Sequence, residues 1–139
     1  MILVIDSNIL ISALIKNSKT REIILRSGIK FLHPKISIKN LGKYKKEILE
    51  KSEMNEDDYG KIYDLLLNNV ELFENEIFLD KLNEANKIIG ETDIEDVPFI
   101  ARALSIETNG IWSDDKPFQK QDKIKIFKTE EVIEFLKQD

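Results

Sequence analysis

The sequence predicts an α/β sandwich around a mainly parallel sheet, folded as a single domain over residues 1–139. Three observations lead there. Short apolar runs alternate with amphipathic stretches, the pattern of strands joined by crossover helices. The first run, ILVI at 2–5, carries no polar residue, which suits a strand buried on both faces. A chain of 139 residues, 42% hydrophobic and 34% charged, is long enough for one buried core. It shows no linker, internal repeat or low-complexity segment.

The elements follow in order. After ILVI, residues 8–15 read as a helix, and a second runs from Thr20 to Arg26 with Gly28 just past its end. KFLHP at 30–34 is the second strand, stopped by Pro34. Ser37 is placed to cap one long amphipathic helix reaching about Lys51, with Ile38, Leu41, Ile48 and Leu49 on its apolar side. Asn55 opens another helix, whose first turn holds Glu56, Asp57 and Asp58, acids that complement the helix dipole. Ile62, Leu65, Leu66 and Val70 form its apolar stripe. One of VELF and EIFL, around 70–79, is a strand. Leu82, Ala85, Ile88 and Ile89 mark a helix closed by Gly90, and a further helix starts near Asp96 and ends before Gly110. IWS at 111–113 and IKIF at 124–127 are short strands, and Thr129 caps a last helix, EEVIEFLK.

Composition excludes several chemistries. There is no cysteine, so there are no disulfides, thiolate metal sites or cysteine nucleophiles. The single histidine, His33, argues against poly-histidine metal sites and histidine triads within one chain. The net charge of −5 repels nucleic acid overall, so any contact with nucleic acid needs local basic patches or bound cations. No stretch is long enough to span a membrane, and Asp6 and Asn8 interrupt the first apolar run before it could serve as a signal peptide. The expected location is the cytoplasm.

Chemistry must then come from carboxylates, hydroxyls, amides and lysines. Asp6 ends the first strand. Asp114 and Asp115 follow IWS. Asp93 and Asp96 lie at a helix start. Ligands of open parallel sheets sit at the carboxyl ends of strands, and the following helices begin at that same edge. Each acid also has a plain structural use: Asp6 as a helix cap, Asp96 as a cap or first-turn acid, Asp114 and Asp115 in a turn with Lys116 and Pro117. Pro98 is tolerated only in a first turn, so the helix starts near Glu95 or Asp96 and leaves Asp93 without a simple role. What these uses leave unexplained is the gathering of acids at one edge. Two unit charges about 4 Å apart repel by about 4 kcal/mol at an effective dielectric of 20. Such a cluster must take up protons or bind a cation, and all-oxygen ligands favour hard ions such as Mg²⁺, Mn²⁺ or Ca²⁺.

VIDSN resembles the opening strand and first catalytic acid of PIN-domain nucleases. DVPFIARAL resembles their Asp followed by an alanine-rich helix. WSDDKPF resembles their T-x-D-x-x-F ending, with Ser113, Asp115 and Phe118 in the three named places. The three motifs fall in order along nearly the whole chain. The resemblance implies a three-layer α/β/α fold, a Mg²⁺- or Mn²⁺-dependent ribonuclease acting on single-stranded RNA, frequent homodimers and, for many small members, the toxin role of a toxin–antitoxin pair (the VapC type) with an antitoxin protein as partner. It implies that Asp6, Asp96 and Asp115 are catalytic, metal-binding acids, that Asn8 and Ser113 orient them, and that Asp93 and Asp114 are additional metal-site acids.

One position departs from the pattern. The family usually carries Glu on the helix after the second strand, as in I-S-x-x-E-L. Here ISIKNL puts Asn40 there, a neutral oxygen in place of a charged one, which implies weaker metal binding and reduced activity. Glu47 lies seven residues on, about 10 Å farther along a helix axis, too far to take over as a direct ligand.

Lysines 35, 39, 43, 45 and 46 crowd one segment, and lysines 116, 120, 123 and 125 follow the last acidic motif. Tyr44, Trp112 and Phe118 lie among or near them. A minority of these lysines is expected to follow a phosphate backbone, the rest being solvated helix exterior; Trp112 and Phe118 are expected in the core. Haloacid-dehalogenase phosphatases need a second acid at position 8, which is Asn. Receiver domains need paired acids at the end of the first strand, where there is one. The alternative is a weakened PIN-fold module that binds RNA or protein without cleaving, a role Asn40 keeps open.

Overall fold

A computed structural model describes residues 1–74, 82–90, 99–101, 103 and 108–138. Its five strands are β1 (Ile2–Ile5), β2 (Lys30–Pro34), β3 (Val70–Phe73), β4 (Gly110–Trp112) and β5 (Ile126–Phe127). They form one sheet in the order β3-β2-β1-β4-β5, with every pairing parallel. The labelled helices are α1 (Ser7–Ile15), α2 (Lys19–Arg26), α3 (Lys35–Leu41), α4 (Lys45–Ser52), α5 (Glu56–Asn68), α6 (Leu82–Ala85), α7 (Lys116–Gln119) and α8 (Thr129–Lys137). Residues 99–101 and 103 are also helical. No helix among the described residues is long and apolar enough to cross a membrane.

Strand alternation builds the layers. Leu3 and Ile5 of β1 face one side with Phe31 and Trp112, and there meet Leu10, Ala13 and Leu14 of α1, Ile23 of α2, Ile48 of α4, Leu66 of α5 and Val132 of α8. Val4 faces the other side with Leu32 and Ile111, against Ala85 of α6, Phe99, Ile100 and Ala101, and Phe118 of α7. Helices on both faces are what a parallel sheet with apolar strands requires. The result is a three-layer α/β/α sandwich, as the sequence predicts.

Several elements differ from the sequence expectation. The long helix expected from Ser37 is three pieces: α3, a 3₁₀ turn at Gly42–Tyr44, and α4. Gly42 is the weak point, since glycine costs a helix interior about 1 kcal/mol relative to alanine. Ser37 is no cap, because the helix starts directly from β2 at Lys35 and takes Ser37 into its interior, buried. Leu65 is 49% exposed; the buried positions of α5 are Tyr59 and Leu66. Asn55 does open that helix, its side-chain oxygen accepting the Asp58 N–H at 2.8 Å. VELF is the strand β3, while EIFL lies outside the described residues. The strand expected at 124–127 shortens to Ile126–Phe127.

Gly110 opens β4 with φ +143. A Cβ there would lie 2.2 Å from the Lys125 carbonyl oxygen, the same oxygen that accepts the Ile111 N–H at 3.0 Å. Both the backbone conformation and the close approach of the chain entering β5 demand glycine. Gly110→Ala is expected to destabilise the fold by about 1–3 kcal/mol, the range of strained backbone sites. Urea denaturation of the two proteins measures this directly.

Candidate active site

The chain leaves β1 toward β2 on one side, and β4 returns on the other. β1 and β4 therefore straddle the point where strand order reverses, and a crevice opens outside their carboxyl ends. Register places Ile5 opposite Trp112. The next residues, Asp6 and Ser113, meet at the mouth of that crevice.

Asp6 is anchored through its backbone. Its N–H donates to the Trp112 carbonyl at 3.1 Å, and its own carbonyl accepts the N–H groups of Ile9 and Leu10, starting α1. The carboxylate makes no cap hydrogen bond to that helix. Capping contributes at most a weak approach of the Asn8 N–H, the smallest influence on the acid. Its partner is Ser113, whose buried hydroxyl donates to Asp6 at 2.7 Å. The same Ser113 oxygen accepts the Asp115 N–H at 3.0 Å. Asn8, in the first turn of α1, donates its Nδ2 to the Asp115 carboxylate at 2.6 Å. Two bonds thus cross between the segments: residue 113 holds acid 6, and residue 8 holds acid 115.

Asp6 is only 3% exposed. Burial pushes its carboxyl up to about 7; Asp115 beside it adds to the rise, while the Ser113 hydroxyl opposes it and the nearby Asn8 amide opposes it slightly. An acid so placed binds either a proton or a cation.

Asp114 does something else. Its two carboxylate oxygens accept the backbone N–H and the hydroxyl of Thr129, at 2.8 and 2.7 Å. The Thr129 hydroxyl in turn accepts the indole N–H of Trp112 at 3.0 Å. This corrects the expectation that Thr129 caps the last helix. The acid that caps α8 is Asp114, fifteen residues upstream, and Thr129 is the first residue of the helix rather than its cap. Trp112 and Phe118 are buried in the two core layers.

Asp93 and Asp96 lie outside the described residues. Asn40 is in α3, which springs from the carboxyl end of β2 at the same sheet edge, but its side chain is also outside the description. Glu47 is on α4 and pairs with Lys51 at 2.7 Å. Among the described residues no three metal-ligating side chains converge. The donors that do meet are hard oxygens on a buried acid with a like-charged neighbour, the donor type that suits a hard divalent cation.

His33 was passed over in the sequence, where it served only to exclude histidine chemistry. It is fully buried, and its Nδ1 donates to the Ile5 carbonyl at 2.8 Å. The β1–β2 pairing ends at Val4 and Leu32, where β2 is about to become a helix. The imidazole takes over from the ladder at the residue just before Asp6. Its ring packs edge-on to Phe99, with centroids 5.6 Å apart, and burial lowers its pKa to about 4, so it is neutral at physiological pH. Its Nε2 has no partner among the described residues. The available signal was positional: KFLHP and VIDSN end at one edge of adjacent strands.

Comparison with protein families matches residues 4–136 to a family described as PIN domain. The chain belongs to the PIN-domain family, whose members are in general metal-dependent nucleases. No curated protein matches the chain significantly.

Between pH 3.8 and about 7 folded Asp6 keeps a proton that the unfolded chain has released. The folded state binds more protons there, so stability falls as pH rises, by up to about 1.4 kcal/mol per pH unit, and levels off above 7. In metal-free buffer Asp6→Asn is expected to remove this slope and to be the more stable protein at pH 8. Thermal melts of both proteins across pH 4–8 check it.

Proposed function

We propose that the protein is a metal-dependent endoribonuclease that hydrolyses phosphodiester bonds of single-stranded RNA. The observation that carries the proposal is the pair of crossed hydrogen bonds, Ser113 to Asp6 and Asn8 to Asp115, at the strand-order reversal. They place one buried and one partly exposed carboxylate where a parallel sheet receives its ligand.

Asp6 and Asp115 would hold Mg²⁺ or Mn²⁺, with Asp96 and Asp93 supplying further carboxylates. When bound, the cation lowers the pKa of water and offsets negative charge building on the phosphate. Ser113 and Asn8 position the carboxylates by donating to them, so neither must reorganise when substrate arrives. Burial keeps bulk water from screening Asp6. His33 restrains the end of β1 through Ile5. Asn40 contributes at most a neutral oxygen, so the chain holds its cation less tightly than a relative with Glu there. Asp114 serves the fold by capping α8. No covalent enzyme intermediate is required, in keeping with a chain that has no cysteine and whose one histidine is buried.

The toxin role in a toxin–antitoxin pair, with an antitoxin protein as partner, a homodimeric state and a cytoplasmic location complete the proposal. Their support is the likeness of the three motifs to small PIN proteins.

Mn²⁺-dependent cleavage of a mixed single-stranded RNA is expected for the wild type, with a drop of at least a hundredfold in Asp6→Asn and in Asp115→Asn. Wild type should gain thermal stability on Mn²⁺ addition, and both variants should lose most of that gain. Absence of both cleavage and metal response would favour the binding module over the nuclease. Asn40→Glu should raise metal affinity and cleavage about tenfold; a single extra ligand charge gained at about 1.4 kcal/mol is a factor of ten. A titration of Mn²⁺ by calorimetry, beside initial cleavage rates, decides it.

A further inference from the structure

Resting on the ribonuclease reading above, we propose that the surface of α3, the 3₁₀ turn and α4 is the track that guides single-stranded RNA to the site, with Lys39, Lys43 and Lys46 on its phosphates and Tyr44 stacking a base. The segment KISIKNLGKYKK, residues 35–46, carries five lysines and no acid, in a chain whose net charge is −5. It is an acid-free run of positive charge on an acidic chain, and it differs from the second lysine group, 116–125, which contains Asp122. Segment 35–46 starts where β2 ends, at the sheet edge that holds Asp6 and Asp115, and α3 rises about 10 Å from it.

The structure separates the lysines. Lys35 pairs with Glu74 at 3.1 Å, and Lys45 pairs with Glu56 at 3.7 Å and lies over the Tyr59 ring. Lys39, Lys43 and Lys46 are exposed and make no ion pair among the described residues. Ile36, Lys39 and Lys43 recur at helical spacing, so they share one outward side. Ile36 is 51% and Tyr44 45% exposed, large apolar groups left in solvent among the free cations. Cations spaced along a path with an aromatic ring between them match a single strand: the charges meet phosphates, and the ring meets a base of any identity. An acidic protein would satisfy the lysines but would leave the ring without a specific use. Tyr44 ends the 3₁₀ turn between the two helices.

The test uses Asp6→Asn protein, which binds without cutting, and a fluorescent mixed-sequence single-stranded RNA followed by anisotropy at several salt concentrations. Adding K39E, K43E and K46E together is expected to weaken binding at least tenfold at 100 mM salt. It should also flatten the log–log salt dependence by about 2, since each phosphate contact with a single strand contributes about 0.7. Adding Tyr44→Ala should weaken binding at least fivefold with the salt slope unchanged. All four side chains are exposed, and unchanged melting temperatures confirm folding. RNA affinity unaffected by the triple substitution overturns the track; if the same substitution changes the mass in solution or abolishes capture of an acidic protein, the surface is an interface instead. The two proposals fail separately. RNA that binds along this surface but is never cut with Mn²⁺ defeats the nuclease and leaves the track. RNA that is cut with the same KM by the triple variant in the Asp6 background of the wild type defeats the track and leaves the nuclease.

Discussion

The whole arrangement depends on a carboxylate buried at the end of a central strand. Asp6 sits at the carboxyl end of β1, between the β2 and β4 sides of the sheet, and has lost nearly all contact with water. A charged acid in that position is costly unless something compensates it. The backbone of β4 fixes its main chain, Ser113 donates to its side chain, and His33 secures the carbonyl just before it. Few simple structural purposes require such an investment. Surface acids cap helices equally well, as Asp114 does for α8.

The crossed bonds tie the site to the fold. Asn8 belongs to α1 and Ser113 to the end of β4, yet each serves the acid of the other segment. Slipping β1 against β4 by one residue would break both bonds and turn Leu3, Val4 and Ile5 to the wrong layers, because strand side chains alternate. The same register that buries the core aligns the carboxylates. The Trp112–Thr129–Asp114 chain extends this link to the last helix, so the element after the site is fastened by the residue next to it.

Charge is distributed with the same economy. Asp6 and Asp115 meet at the crevice, and Lys39, Lys43 and Lys46 lie on the segment that leaves the neighbouring strand. A polyanion approaching an acidic protein would meet attraction there, and a cation at the crevice would reduce the remaining repulsion. His33 and Asn40 stand at the two ends of the short path from β2 into α3, one supporting the strand that carries Asp6, the other in the helix that carries the lysines.

Much of the fold was legible because its signals are local. Alternating apolar runs and amphipathic stretches gave the strand–helix order, Asn55 announced its helix, and ILVI announced a strand covered on both faces. The strand-end acids Asp6 and Asp115, with Asn8 and Ser113 beside them, could be picked out by residue type and by position at strand ends. Other features depended on contacts across long stretches of chain. Nothing near Thr129 says that its partner is Asp114, and nothing near His33 says that its ring replaces a ladder hydrogen bond. The break at Gly42 was visible as a residue but not as an event, because a glycine inside an amphipathic pattern is often carried through. The sequence by itself determined which residue types were present for carboxylate chemistry and which strands could be buried. Only the tertiary structure decided that Asp115 joins Asp6 while Asp114 holds a helix, because that depends on where strand order reverses and on which donors the register brings within hydrogen-bonding distance.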